Sequence, residues 1–327
     1  MTLPTGLSHT DTLFDQYAVV GSSSASHGYA AAVNATQLVG PATLFILMTI
    51  VGLELRLADF RRVAAAPRAI VVGTLAQVLL LPLMTWAVVA ALAVPPVFGA
   101  GAVLVAVSPG AGVSNILTAL AGANTALSVS LTAMTSVLAV VTLPIIAALG
   151  MTLFLGDGVS VDVPVLSLIA QLTFSLLLPI SLGMTLRARR PAFAARNRRR
   201  LQLLGGLAIA SLIALAVAFG EEESLASFEQ VQAGILAAAV WTLAAMAIGW
   251  GVASLLRLTS ADRFTFVIEF GARNVAVAAI VGISALDRLD LTFFGAAYAI
   301  VGYPMIGVAA LWWRRSRTSE SALVPDG

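Results

Sequence analysis

Long apolar runs dominate the chain. They lie at about 37–55, 69–92, 97–121, 126–153, 164–186, 201–219, 229–256, 264–286 and 291–313, nine in all. Each is near the roughly 20 residues that a helix needs to cross a bilayer. Backbone groups cannot go unpaired in lipid, so the pattern predicts nine transmembrane helices and an all-α polytopic membrane protein. Residues 1–36 hold no such run. They mix Asp11, Asp15 and His27 with Gly21-Ser22-Ser23-Ser24 and read as an N-terminal tail or as a degenerate extra helix. No basic stretch followed by an apolar core marks a signal peptide.

Charge fixes the orientation. Only 10% of the residues are charged, against about 25% in soluble domains. All 18 basic residues are arginines. Arg56, Arg61, Arg62 and Arg68 follow the first run, and seven between Arg187 and Arg200 follow the fifth. Arg257 and Arg263 follow the seventh, and Arg314, Arg315 and Arg317 the ninth. With nine crossings, all of these connections share one side, which the positive-inside rule makes the cytoplasm. The opposite connections carry Asp157, Asp162, Glu221, Glu222, Glu223, Glu229, Asp287 and Asp290. The expected protein is therefore multi-pass in the cell membrane, with its N-terminus outside and residues 314–327 as a cytoplasmic tail. Its partners are the lipid bilayer and a small solute rather than nucleic acid. Cysteine is absent, and the histidines, His9 and His27, precede the first run. An intramembrane zinc site and a nucleophilic enzyme are thereby disfavoured.

Two stretches break the apolar pattern. Ser108-Pro109-Gly110-Ala111-Gly112-Val113-Ser114-Asn115 interrupts the third run, and Glu269 to Asn274 interrupts the eighth. Proline removes a donor and glycine tolerates non-helical dihedrals, so either a kink or an unwound segment fits the first. Unwinding frees carbonyls for a cation and leaves a half-helix N-terminus for an anion. Charges at membrane depth cost roughly 2.5–3.5 kcal/mol each and usually serve function. Glu269 and Arg273 are four residues apart, which fits an intrahelical ion pair. It equally fits a carboxylate for a hard cation beside a guanidinium for an anion. Asn274 adds a donor and an acceptor. Ser128 and Thr132 share one face of the fourth run and are either backbone-bonded hydroxyls or neutral oxygen ligands. Gln77 in the second run is either an interhelical hydrogen-bonding group or a ligand. Interrupted helices at matching positions of two antiparallel halves point to a transporter built on inverted repeats. Gly52-Leu53 and Pro179 with Leu182-Gly183 are weaker punctuation that suits close helix packing or a kink.

At these residues the sequence resembles the bile acid:sodium symporter family. The likeness runs from about Gly40 to Trp313. It rests on Gly52-Leu53 with Asp59-Phe60, Gln77 with Pro82, Ser108-Pro109-Gly110 with Ser114-Asn115, and Asn124 with Ala126-Leu127-Ser128 and Thr132. Leu178-Pro179-Ile180 with Leu182-Gly183, and Glu269, Gly271 and Asn274, complete it. The resemblance implies inverted five-helix repeats, a core domain with two crossed discontinuous helices, and a smaller panel domain. It divides this chain into a first repeat at 37–155, with four helices and one missing, and a second, five-helix repeat at 156–313. It implies a sodium site at Ser114, Asn115, Ser128, Thr132 and Glu269. A second cation site would use Gln77, Glu269 and position 273, with the carbonyls of Phe270 and Ala272. Position 273 is usually glutamine in well-described members, whereas Arg273 cannot ligate sodium. Tyr303-Pro304 stands where those members carry a polar pair.

The function expected is sodium-coupled import of a small organic anion by alternating access. One sodium ion is favoured over two, because Arg273 already supplies a positive charge. Gly110, Gly112, Arg273 and Asn274 are the candidate substrate contacts. A proton-coupled or uncoupled facilitator working through Glu269 and Arg273 is the alternative.

Overall fold

The computed structural model describes residues 67–155, 165–194, 228–286 and 288–322, with single positions between 42 and 53 and between 196 and 207. The predicted tail at 1–36, and most of the runs at 37–55 and 201–219, lie outside the described residues. The described residues are helical apart from short connections. Among the described residues, four helices are long and apolar enough to cross a membrane.

Helix α1 spans Pro67–Ala91, α2 Pro96–Val107, α3 Gly112–Ala121 and α4 Thr125–Leu155. Helix α5 spans Val165–Arg189, α6 Phe228–Leu255, α7 Ser260–Gly271, α8 Val275–Ile280 and α9 Phe293–Ala322. A π-helical turn at Val281–Ala285 extends α8, and a 3-10 turn at Asp290–Thr292 leads into α9. The third and eighth apolar runs are thus each two half-helices, α2–α3 and α7–α8.

Local chemistry sets these ends. Proline opens α1 at Pro67 and α2 at Pro96, where a missing N–H costs nothing. Gly122 closes α3 in the left-handed conformation, φ 67°, the usual glycine stop. Asn124 then accepts from the Leu127 N–H at 3.1 Å as α4 begins. Helix α7 starts on Thr259, whose hydroxyl accepts from the Asp262 N–H at 3.2 Å, a side-chain N-cap.

The core lies where α1, α4, α6 and α9 enclose the half-helices. Its centre is Trp241, fully buried, which donates its indole N–H to Thr85 at 2.8 Å. Its ring meets Tyr298 edge-on at 5.5 Å and Phe294 at 6.4 Å. Small residues let elements approach closely. A Cβ at Gly249 would lie 2.5 Å from the Phe266 carbonyl oxygen, so α6 and α7 touch through backbone. Gly52 faces the backbone of Ile180, and Gly183 faces that of Thr49. The glycine punctuation seen in sequence is therefore a close helix crossing. Arg187 ties it by donating to the Leu53 carbonyl. On α4, Val137, Val141, Ile145 and Leu149 form an exposed apolar stripe at four-residue spacing, the pattern of a lipid-facing side.

Candidate functional site

The two helix breaks cross each other. Residues 108–111 separate α2 from α3, and residues 272–274 separate α7 from α8. At the crossing, Gly110 and Arg273 form an isolated antiparallel bridge. Ala111 N–H donates to Ala272 O at 3.3 Å, and Asn274 N–H donates to Pro109 O at 3.0 Å. Each unwound strand thus repairs part of the other, as buried backbone at membrane depth requires. The Gly110 N–H goes instead to Thr135 Oγ1 on α4, at 3.2 Å.

On one side of the crossing sits Glu269, fully buried near the end of α7. Its Oε1 accepts from Ser114 at 2.6 Å, from Ser128, and from Thr132 at 3.2 Å. Thr132 also lies 3.1 Å from Oε2. Ser128 in turn lies 2.9 Å from Asn115 Oδ1, and Thr118 lies 3.3 Å from Ser128. The five residues expected as sodium ligands, drawn from α3, α4 and α7, are therefore brought together. Proton counting shows what such a cluster suits. A hydroxyl has one hydrogen, yet Ser114 faces both Ala111 O, at 2.7 Å, and Glu269. Ser128 likewise faces both Asn115 Oδ1 and Glu269. Oxygen lone pairs outnumber hydrogens here. A hard cation, which takes carboxylate, hydroxyl, amide and carbonyl oxygens, fits this donor set.

On the other side is Arg273, 2% exposed. Its Nη1 donates to Gln77 Oε1 on α1 at 2.5 Å, and its Nη2 to the Ser108 carbonyl. The intrahelical ion pair with Glu269 does not form. Helix α7 ends at Gly271, so residue 273 is no longer one turn above residue 269. Arg288 does pair with a carboxylate, that of Asp290, at 2.6 Å. That contact, outside the apolar runs, raises the Arg288 pKa above its ordinary value through the hydrogen bond to Asp290.

The remaining expected residues divide. Gly110 is buried against the cage: a Cβ there would meet Glu269 Oε2 and Thr132 Oγ1, each at 3.0 Å. Gly112 and Asn274 keep partial exposure, and Asn274 caps α8 by accepting from the Val277 N–H at 3.3 Å. The Ala272 carbonyl has a backbone partner in Ala111, and Phe270 is fully buried. Several contacts at the crossing are invisible in sequence. Tyr298 accepts from the Arg273 N–H at 2.9 Å and donates to Gly271 O, bridging two groups that the broken helix leaves open. Tyr303 donates to Arg273 O at 2.6 Å. Thr118 and Thr135 lie one turn from Ser114 and Thr132, and that spacing is the signal that could have found them.

Residues 41–228 match the Sodium Bile acid symporter family. The chain is 27% identical over 285 residues to the uncharacterized sodium-dependent transporter YocS of Bacillus subtilis, covering 85% of this chain and 84% of that protein. It is 28% identical over 278 residues to the probable sodium/metabolite cotransporter BASS1, chloroplastic, of Arabidopsis thaliana, covering 85% and 67%. It is 25% identical over 264 residues to the P3 protein of Homo sapiens, covering 79% and 53%. The family match spans more than half of the chain, and the relatives named by activity are sodium-dependent transporters rather than enzymes, so this chain belongs to the sodium bile acid symporter family.

Proposed function

We propose that the protein imports a small organic anion together with one sodium ion by alternating access. The observation that carries this reading is the convergence of Ser114, Asn115, Ser128 and Thr132 on the buried Glu269 at the helix crossing. Sodium held there gathers α3, α4 and α7 around one ion. Gly110, Gly112, Asn274 and Arg273 border the crossing and receive the anion.

Arg273 takes the part of a second sodium ion. Its guanidinium lies against Gln77 and Ser108 O, where the resemblance would put a second cation near Gln77. Glu269 and Arg273 contribute opposite unit charges, and one sodium with one monoanion leaves the loaded site neutral. Neutrality matters because an uncompensated charge in a dry site costs several kcal/mol. The protein sits in the cell membrane with the N-terminus outside and the C-terminus cytoplasmic. Residues 37–155 and 156–313 are its two inverted repeats, and a panel moves against the core.

The test is uptake in proteoliposomes against sodium concentration, with and without a membrane potential. A sodium Hill coefficient of about 1 and little voltage response are expected. Each additional sodium translocated would add about 2.3 kcal/mol of drive per 100 mV. A Hill coefficient of about 2 with potential-driven uptake would refute the stand-in role of Arg273. Uptake driven by a proton gradient alone would favour the facilitator.

A further inference from the structure

Beyond the cation cage, α1 and the second helix break share a cluster of donors without acceptors. Gln77 and Arg273 are 0% and 2% exposed. Gln77 Nε2 and Arg273 Nε both lack hydrogen-bond partners, as does the fully buried Thr74 Oγ1. Thr74 lies three residues before Gln77 on α1 and so shares its face. The pairing between the two larger side chains explains the polarity of what is left. Gln77 spends its carbonyl oxygen on Arg273 Nη1, so its amide has only N–H groups to offer. Arg273 spends Nη2 on Ser108 O, which leaves the Nε–H free on the edge of the guanidinium that accepts an oxyanion side-on.

A buried donor without a partner costs about 1–3 kcal/mol, and orphans are rare in native interiors. The nearest carboxylate cannot serve them, because Glu269 is turned to Ser114, Ser128 and Thr132. Once sodium offsets Glu269, the guanidinium charge is uncompensated as well. Water could satisfy an N–H but not that charge.

We propose that Arg273 and Gln77, with Thr74 one turn away, form an oxyanion recess that takes the carboxylate of the transported solute. Gln77 is then a substrate donor, not a cation ligand. The recess rests on the symport reading and deepens it: sodium on one face of the crossing raises the affinity for the carboxylate on the other, and by reciprocity the carboxylate raises the affinity for sodium.

The experiment is thermal unfolding of the full-length protein in detergent, at constant chloride, in sodium or choline. Acetate, pyruvate and methanesulfonate, as choline salts, are the probes. The wild-type midpoint should rise with at least one carboxylate probe, at an apparent affinity about tenfold or more tighter in sodium. Gln77→Glu keeps the contact to Arg273 but removes the free N–H groups and neutralises the guanidinium. It should fold, bind sodium at least as tightly as the wild type, because its fixed carboxylate stands where that of the solute would, and lose carboxylate affinity by about tenfold or more. Arg273→Lys, a point charge without the fork, should lose it too. The recess is overturned if no carboxylate shifts the wild type, or if Gln77→Glu still responds normally. A wild type that does not respond to sodium alone would instead refute the cage, leaving the recess to be judged by the carboxylate arm.

Discussion

Replacing Glu269 by glutamine is the sharpest perturbation of the cage. The shape of the side chain is kept and one oxygen remains, but the negative charge goes. Two unit charges about 4 Å apart interact by about 4 kcal/mol at an effective dielectric of about 20. An ion in direct contact is closer, and the low exposure of Glu269, 0%, lessens screening, so this figure is a lower bound for the Coulomb part. At about 1.4 kcal/mol per tenfold, 4 kcal/mol is between two and three decades of sodium affinity. Part is recovered because the hydroxyls of Ser114, Ser128 and Thr132, which now donate to Glu269, are free to reorient around a neutral amide. A loss of about tenfold or more in sodium-stimulated uptake is the expected minimum. The sodium-free thermal midpoint should hold or rise, because a buried charge has been removed. Ser130→Ala is the matched control. Its hydroxyl bonds back to Ala126 O at 2.9 Å, away from the Ser128–Thr132 face, and uptake should stay near wild type. Sodium-stimulated uptake and a sodium-induced thermal shift that both persist unchanged in Glu269→Gln would refute the cage.

Gly110→Ala tests the same site by volume: its Cβ would stand 3.0 Å from both Glu269 Oε2 and Thr132 Oγ1. The protein should fold while sodium affinity falls by about tenfold, read from the sodium dependence of uptake. Tyr298→Phe removes the hydroxyl that bridges Gly271 O and Arg273 N, so stability should drop by about 1–3 kcal/mol in unfolding assays. Tyr303→Phe should cost less, because Arg273 O still accepts from the Val275 N–H at 3.1 Å. Sidedness can be read directly, since the chain has no cysteine. A cysteine at the exposed Ala93 should react with an impermeant maleimide from outside, and one at the exposed Ala192 only after permeabilisation; the reverse pattern would invert the topology.

Much of this protein is written locally. Apolar runs long enough to span lipid, and proline, glycine and charge placed inside them, are properties of neighbouring residues. They mark the stretches 108–115 and 269–274 as interruptions before any packing is considered, and the structure places the breaks within them, at 108–111 and 272–274. The face shared by Ser128 and Thr132 follows from helical periodicity alone. The pairing of Glu269 with Arg273 did not, because four-residue spacing implies contact only while a helix continues, and α7 stops at Gly271. Which side each charge takes was decided by the crossing. It turns the carboxylate to hydroxyls more than a hundred residues upstream and the guanidinium to Gln77 on α1. The tertiary structure likewise recruits Tyr298 and Tyr303 from α9 to close the backbone that unwinding opened. Local sequence can say that a helix must break in the membrane. Only the folded chain can say which distant groups satisfy the freed polar atoms, because that depends on what the helices bring within hydrogen-bonding distance.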